Sequence, residues 1–190
     1  YIIFLRLIFI IITFSFVVYL ITGLSGSPLK TIAPLLPPQE KAKNITSFPV
    51  QENSICETPK YADFLSGLAG LPGYFDLGQA IECARKQNKP VFVYFKGHAC
   101  SNCKKMEANI WLDQELRKIL AENYIIATLY VDDRTKLPEE ERYISNHSGR
   151  RITTIGKKNA DLQISGFNSN TQPFYAVVNT GMEVIAGPMN

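Results

Sequence analysis

Two cysteines three positions apart, Cys100 and Cys103, stand in the stretch GHACSNCKKME (residues 97–107), between an apolar run, VFVYF, and a charged segment of helical composition. At the start of a helix, positions i and i+3 share one face about 5 to 6 Å apart, near enough for two sulfurs to bond after a small adjustment. The first cysteine then lies where unpaired backbone N–H groups and the helix macrodipole favour a thiolate. Cys100 is therefore expected to be the exposed nucleophile, and Cys103 the more buried thiol that resolves a mixed disulfide.

Three other readings compete for the pair. A structural zinc site needs four ligands, but the remaining cysteines, Cys56 and Cys83, look isolated and the histidines are His98 and His147 alone. Haem attachment requires a histidine directly after the second cysteine, where this chain has Lys104. A purely structural bridge enclosing two residues closes so short a loop that little chain entropy is removed from the unfolded state. Redox chemistry is the favoured reading, with a soft-metal holder or a non-catalytic binding module as the alternatives.

The surrounding pattern supplies a scaffold for such a pair. DLGQAIECARKQNK has helical periodicity, with Asp76 as N-cap and Lys89-Pro90 as its stop. VFVYF (91–95) is a continuous β-rich run of the kind buried on both faces of a sheet. CSNCKKMEANI follows as a helix with Met106 and Ile110 inward, then DQELRKILAE as a second helix capped by Asp113. YIIATLYV (124–131) is a second buried strand, and the helical separation predicts a parallel, right-handed βαβ crossover. Further helices are expected around LPEEERYISNH and from Ile155 to Ile164. PFYAVV and MEVIA flank NTG as a hairpin.

Residues 1–24 carry a single charge, Arg6, in a run as long as a bilayer-spanning helix needs, about 20 residues. A transmembrane helix is expected there, with the membrane lipid as its partner. Residues 25–75 hold seven of the eleven prolines and form a linker, whose later part, YADFLSGLAGLPGYF, is apolar enough to pack on the domain at 76–190. A start at Tyr1 and an end just past a strand-like segment suggest a piece of a longer protein. The net charge of +3, with both signs mixed, offers no basic stripe for nucleic acid. By the positive-inside rule Lys30, Lys41 and Lys43 would put the segment after the span in the cytoplasm.

KPVFVYFKGHACSNCKKME resembles the active-site segment of the thioredoxin superfamily. With KPV, the CxxC, the Glu four residues on and NIW, it is most similar to the C-terminal domain of the DsbD-like thiol:disulfide interchange family, which joins a last membrane helix, a linker and a thioredoxin-like domain in this order. The resemblance covers nearly the whole chain. It implies an α/β, thioredoxin-like fold, a central mixed sheet flanked by helices, held on the periplasmic side of the inner membrane, against the charge count. It also implies a cis Pro173 beside the disulfide, with the Gln172 backbone bordering the CxxC.

Glu107 matches a family glutamate near the active site, and a carboxylate there would exchange a proton with Cys103; a solvated surface role is equally open. Two positions depart from the family. Tyr94 replaces an acidic residue six positions before the first cysteine, and Ala99 stands where Trp often precedes it. Proton handling then falls in part to His98 or Tyr94, although His98 also reads as an exposed loop residue. Cys83 reads as a small core residue, and a Cys56–Cys83 bridge has no support from spacing.

The function expected is that of a membrane-anchored protein-disulfide reductase. It would take electrons from an upstream membrane domain and pass them to extracytoplasmic disulfide-containing proteins, with a potential of about −180 to −270 mV. No cofactor or metal is expected beyond the Cys100–Cys103 disulfide. A membrane-tethered thioredoxin serving cytochrome c maturation is the remaining alternative.

Overall fold

The computed structural model describes residues 2–24 and 55–189, in two units, residues 1–39 and 40–190. The proline-rich tract up to residue 54, with Lys30, Lys41 and Lys43, lies outside the described residues, as do both terminal residues.

In the first unit, α1 is helical over Ile2–Leu24, 23 residues with Arg6 the one charge. Thr13 turns its hydroxyl back to donate to Phe9 O at 2.8 Å, which satisfies that donor on an apolar surface. Among the described residues, no helix is long and apolar enough to cross a membrane.

The second unit is built on a four-stranded sheet. Strand β1 (Val91–Lys96) runs parallel to β2 (Ile125–Tyr130) and antiparallel to β5 (Phe174–Val178), which pairs antiparallel with β6 (Val184–Met189), giving the order β2-β1-β5-β6. Strands β1 and β2 are buried along their whole length, and their period of two sorts the side chains between two cores. Val91, Val93 and Phe95 join Ile125, Ala127 and Leu129 on one face, under Ala80, Ile81 and Ala84 of α2 (Leu77–Gln87). Phe92 and Tyr94 join Ile126, Tyr175 and Cys103 on the other, the face covered by α3 (Ser101–Asn109) and α4 (Gln114–Asn123). The crossover from β1 through α3 and α4 to β2 is the expected βαβ unit, and β5 with β6 is the expected hairpin.

The helix caps follow the sequence. Asp76 accepts from Gln79 N, Asp113 from Leu116 N and Thr154 from Lys157 N, each side chain satisfying an otherwise unpaired first-turn donor. Asn88 closes α2 in the left-handed region, and α5 runs Ile155–Phe167, one turn longer than periodicity predicts.

Three expectations are corrected. No α-helix forms around LPEEERYISNH: a 3-10 turn at Glu139–Glu141 leads into β3 (Tyr143–Ile144), which pairs with β4 (Arg151–Ile152). There Ser145 Oγ accepts from the backbone N–H groups of His147 and Ser148, a local bond that competes with helix, and Gly149 reverses the chain at φ +66°. Ile110 is not inward but 42 % exposed, because α3 ends at Asn109 and Trp111 fills the core position instead. Cys56 and Cys83 are not isolated; they form a disulfide with Cα atoms 5.5 Å apart.

That bridge fixes the described end of the linker segment onto α2. Cys56 N and Glu57 N donate to the Tyr74 hydroxyl at 2.8 and 3.3 Å, and Leu65, Leu68, Leu71 and Phe75 of the same segment are buried. Tyr74 in turn bridges to the outer edge of β2: its N–H donates to Ile126 O, and Thr128 N–H donates to its carbonyl, both at 2.8 Å. The linker side of the domain thus covers an edge that would otherwise expose unpaired backbone groups.

Candidate active site

Strand β1 delivers the cysteine pair. The chain leaves it at Lys96, turns through Gly97–Ala99, and enters α3 with Cys100 as N-cap. Cys100 and Cys103 are joined by a disulfide, with Cα atoms 5.3 Å apart. Cys100 Sγ accepts from Cys103 N–H at 3.1 Å, so the sulfur takes the place that a Ser or Asp oxygen takes in an ordinary cap. A thiolate there would face an N–H donor and the positive end of the helix dipole. Cys103 is 0 % exposed and Cys100 is only partly covered, so an external sulfur reaches Cys100 first.

Glu107 lies one helical turn beyond Cys103 and faces the sheet rather than solvent. Tyr94 OH donates to its Oε1 at 3.0 Å, and the Lys96 ammonium pairs with the same oxygen. Tyr94, where the family resemblance leads one to expect an acid, is therefore a fully buried hydroxyl donor. Burial first, and the neighbouring Glu107 charge second, push its phenol far above the usual tyrosine value, so it donates without ionising. Its ring stacks on Tyr175 with centroids 5.0 Å apart, and Trp111 Nε1 donates to Tyr175 OH at 3.0 Å. Burial also raises the Tyr175 phenol, against hydrogen bonds with Trp111 and Tyr94 that lower it.

His98 is half-exposed. Its ring packs on Tyr130 with centroids 4.4 Å apart, and its Nε2 lies 2.9 Å from Asp133 Oδ2. Burial alone would raise the Asp133 carboxyl, but hydrogen bonds from His98 and Thr135 outweigh it and hold the group below its ordinary value. His98 is thus an exposed residue of the turn, as one reading of the sequence has it, with its ring held by the residues at and after the end of β2.

The Gln172–Pro173 peptide is cis. Phe174 pairs with Phe95, so Pro173 sits at the end of the sheet from which β1 runs into the CxxC. The Gln172 side chain turns away toward α5, donating to Gln163 Oε1 at 3.1 Å and to Asn170 O at 3.0 Å. The residues named from sequence therefore fall into two groups. Cys103, Glu107 and Tyr94 share one face of the sheet, while His98 and Pro173 flank the same sheet end.

Lys96, Asp133 and the Trp111–Tyr175 bond were not anticipated. Two sequence signals point to the first two: Lys96 is two residues from Tyr94 and so on the same face, and the parallel register Lys96↔Tyr130 sets residues after β2 against those after β1. Among the described residues, no group of three or more His, Cys, Asp or Glu side chains is arranged to hold a metal.

Three solved structures are similar at low identity: a DsbH oxidoreductase (18 % identity, 60 % of this chain and 68 % of that one, TM-score 0.43), a thioredoxin from Thermus thermophilus (17 %, 60 % and 72 %, 0.41), and a disulphide isomerase from Xylella fastidiosa Temecula1 (14 %, 68 % and 78 %, 0.41). Likeness at this level says nothing of substrate. No curated protein matches the chain. The thioredoxin-like family profile matches residues 74–179, from the Tyr74 bridge to the residue after β5, and so takes in the cysteine pair, Glu107 and Pro173. The chain belongs to the thioredoxin-like family.

Proposed function

We propose that this protein is a thiol–disulfide oxidoreductase acting as a reductant of protein disulfides. The Cys100 thiolate attacks one sulfur of a partner disulfide, forming a mixed disulfide and releasing the partner's other sulfur as a thiolate. The Cys103 thiolate then attacks Cys100 Sγ, which frees the second partner sulfur and leaves Cys100–Cys103 oxidised. Two electrons pass to the partner, and the two thiol protons end on its sulfurs through solvent or a nearby base. The observation that carries this reading is the asymmetry of the pair, with Cys100 Sγ at the helix N-terminus within reach of Cys103 N–H and Cys103 buried.

Glu107 is the base for Cys103 in this scheme. Tyr94 and Lys96 both engage Oε1, so Oε2 is the oxygen with capacity for the proton.

Anchoring to a membrane is part of the same proposal. Its support is the sequence, in which residues 1–24 carry a single charge, Arg6, in a run of the length, about 20 residues, that crosses a bilayer. The DsbD-like resemblance supports placing the domain on the periplasmic side of the inner membrane, with electrons received from a membrane domain. Extraction of membranes at high pH tests the anchor: the full chain should stay with the lipid, and release into the supernatant would refute it.

The test of the chemistry is a trapping experiment. Reduced Cys103→Ser protein mixed with a small disulfide-bonded model protein should accumulate an adduct through Cys100, because the resolving thiol is gone. Cys100→Ser should accumulate none. Absence of an adduct, or an adduct through Cys103, would overturn the assignment.

A further inference from the structure

The short turn between β1 and α3 carries no regular secondary structure, yet it decides where the Cys100 sulfur sits. Asp132, two residues past the end of β2, reaches across to it. Its Oδ1 accepts from His98 N–H at 2.9 Å and its Oδ2 from Ala99 N–H at 3.3 Å. Gly97 makes the approach possible: a Cβ built there would lie 2.9 Å from Asp132 Oδ2 and 3.2 Å from its Cγ. Cys100 N–H then donates to Gly97 O at 3.3 Å, and Cys103 N–H to Cys100 Sγ at 3.1 Å. From residue 98 to residue 100, each backbone donor is turned to a named acceptor, and the first two share one carboxylate.

We propose that Asp132 is a positioning residue for the nucleophile, a two-oxygen clamp on the turn that sets the Cys100 sulfur against the Cys103 N–H. The inference rests on the thiol–disulfide reading above, since it gives the clamp its purpose. It adds a residue from outside the CxxC helix, and it accounts for glycine at position 97 by close approach rather than by backbone conformation.

The clamp and the charge of Asp132 act on Cys100 in opposite directions. An anion near a thiol disfavours the thiolate, so removing the charge alone would lower the Cys100 pKa and speed its reaction. Loss of the clamp lets the turn relax and withdraws the N–H donor from the sulfur, which raises the pKa and slows it. The sign of the change therefore separates the two effects.

The experiment measures the rate of Cys100 alkylation by iodoacetamide in the reduced full chain from pH 4 to 9, for the wild type, Asp132→Asn and Gly97→Ala, with melting temperatures alongside. Asn retains one acceptor oxygen, and Ala at 97 displaces a carboxylate that remains charged. Both variants should shift the profile to higher pH and slow alkylation at pH 7 by about three- to tenfold, as loss of an N-terminal hydrogen bond to a thiolate would. An unchanged profile, with or without a lower melting temperature, would show a merely structural role, and a shift to lower pH would show that charge alone acts; either overturns the clamp. Should Asp132→Asn not fold, Gly97→Ala gives the same readout. A wild-type Cys100 no more reactive than an ordinary thiol removes the thiol–disulfide reading and the clamp together, whereas a reactive wild type with unaltered variants removes the clamp alone.

Discussion

Tyr94 OH lies 3.0 Å from Glu107 Oε1, and Lys96, two residues along the same strand face, pairs with the same oxygen. A hydroxyl and an ammonium from β1 thus hold a carboxylate from α3, one turn beyond the buried cysteine. Strand and helix are tied together beneath the cysteine pair by a charge-assisted contact from which water is largely excluded.

The coupling between Lys96 and Glu107 should be measurable. Lys96 is 9 % exposed in its side chain, so deleting its partner leaves a mostly buried ammonium unpaired. A double-mutant cycle with Lys96→Met and Glu107→Gln should give a coupling of about 1–3 kcal/mol in urea denaturation. A value near zero would mean that the pair is only an exposed contact.

The Cys56–Cys83 bridge should matter for stability and not for chemistry at Cys100. It encloses a separation of 27 residues, for which loop closure in the unfolded chain predicts about 3–4 kcal/mol. Cys83 belongs to the core on the α2 face of the sheet, and Cys103 to the core on the other face. The Cys56→Ala, Cys83→Ala double variant should therefore lower the unfolding free energy measured in urea by that amount and keep the redox transition of the other pair.

Asp76 makes stability depend on acid. Burial raises its carboxyl, but the Lys158 ammonium at 2.7 Å and the Gln79 N–H outweigh this and hold it below the ordinary aspartate value. A depressed folded-state pKa contributes stability that is present above the unfolded value, about 3.9, and lost as pH falls through the folded one. Asp133 and Glu141 are lowered as well and share the loss. Chemical denaturation between pH 5 and 2 should show a steep fall, and Asp76→Asn should show a shallower one; equal slopes would count against the assignment.

Gly156 leaves room for the backbone that carries the Asp132–Asp133 pair. A Cβ there would lie 2.5 Å from Asp133 N and 2.6 Å from Asp133 O, atoms that cannot step aside as a side-chain tip can. Gly156→Ala should cost about 2–3 kcal/mol by thermal or urea denaturation. A neutral effect would show that this loop is looser than its hydrogen bond from Gly156 N to Asp133 O suggests.

The parts of this molecule that local physics dictates were legible in the sequence. Asp76, Asp113 and the continuous apolar run VFVYF each carry their own signal, so α2, α4 and β1 form where expected. Sequence reasoning failed where distant segments decide. Nothing in the spacing of Cys56 and Cys83 announces their bridge, which depends on Tyr74 folding the linker segment back over β2. LPEEERYISNH has helical composition, but pairing with Arg151 and Ile152 and the Ser145 turn override it. At the site, Cys100 and Cys103 were read from three positions of spacing. Lys96 and Asp132 needed the parallel register of β1 with β2, which becomes informative only once the strands are paired.

The most direct test of the central claim is a redox titration of the full chain in glutathione and dithiothreitol buffers, with free thiols trapped and assigned by Cys100→Ser and Cys103→Ser. The account predicts a reversible two-electron transition of the Cys100–Cys103 pair at a potential of about −180 to −270 mV, lost in both variants. A pair that shows no reversible transition, or one that survives in either variant, would contradict it.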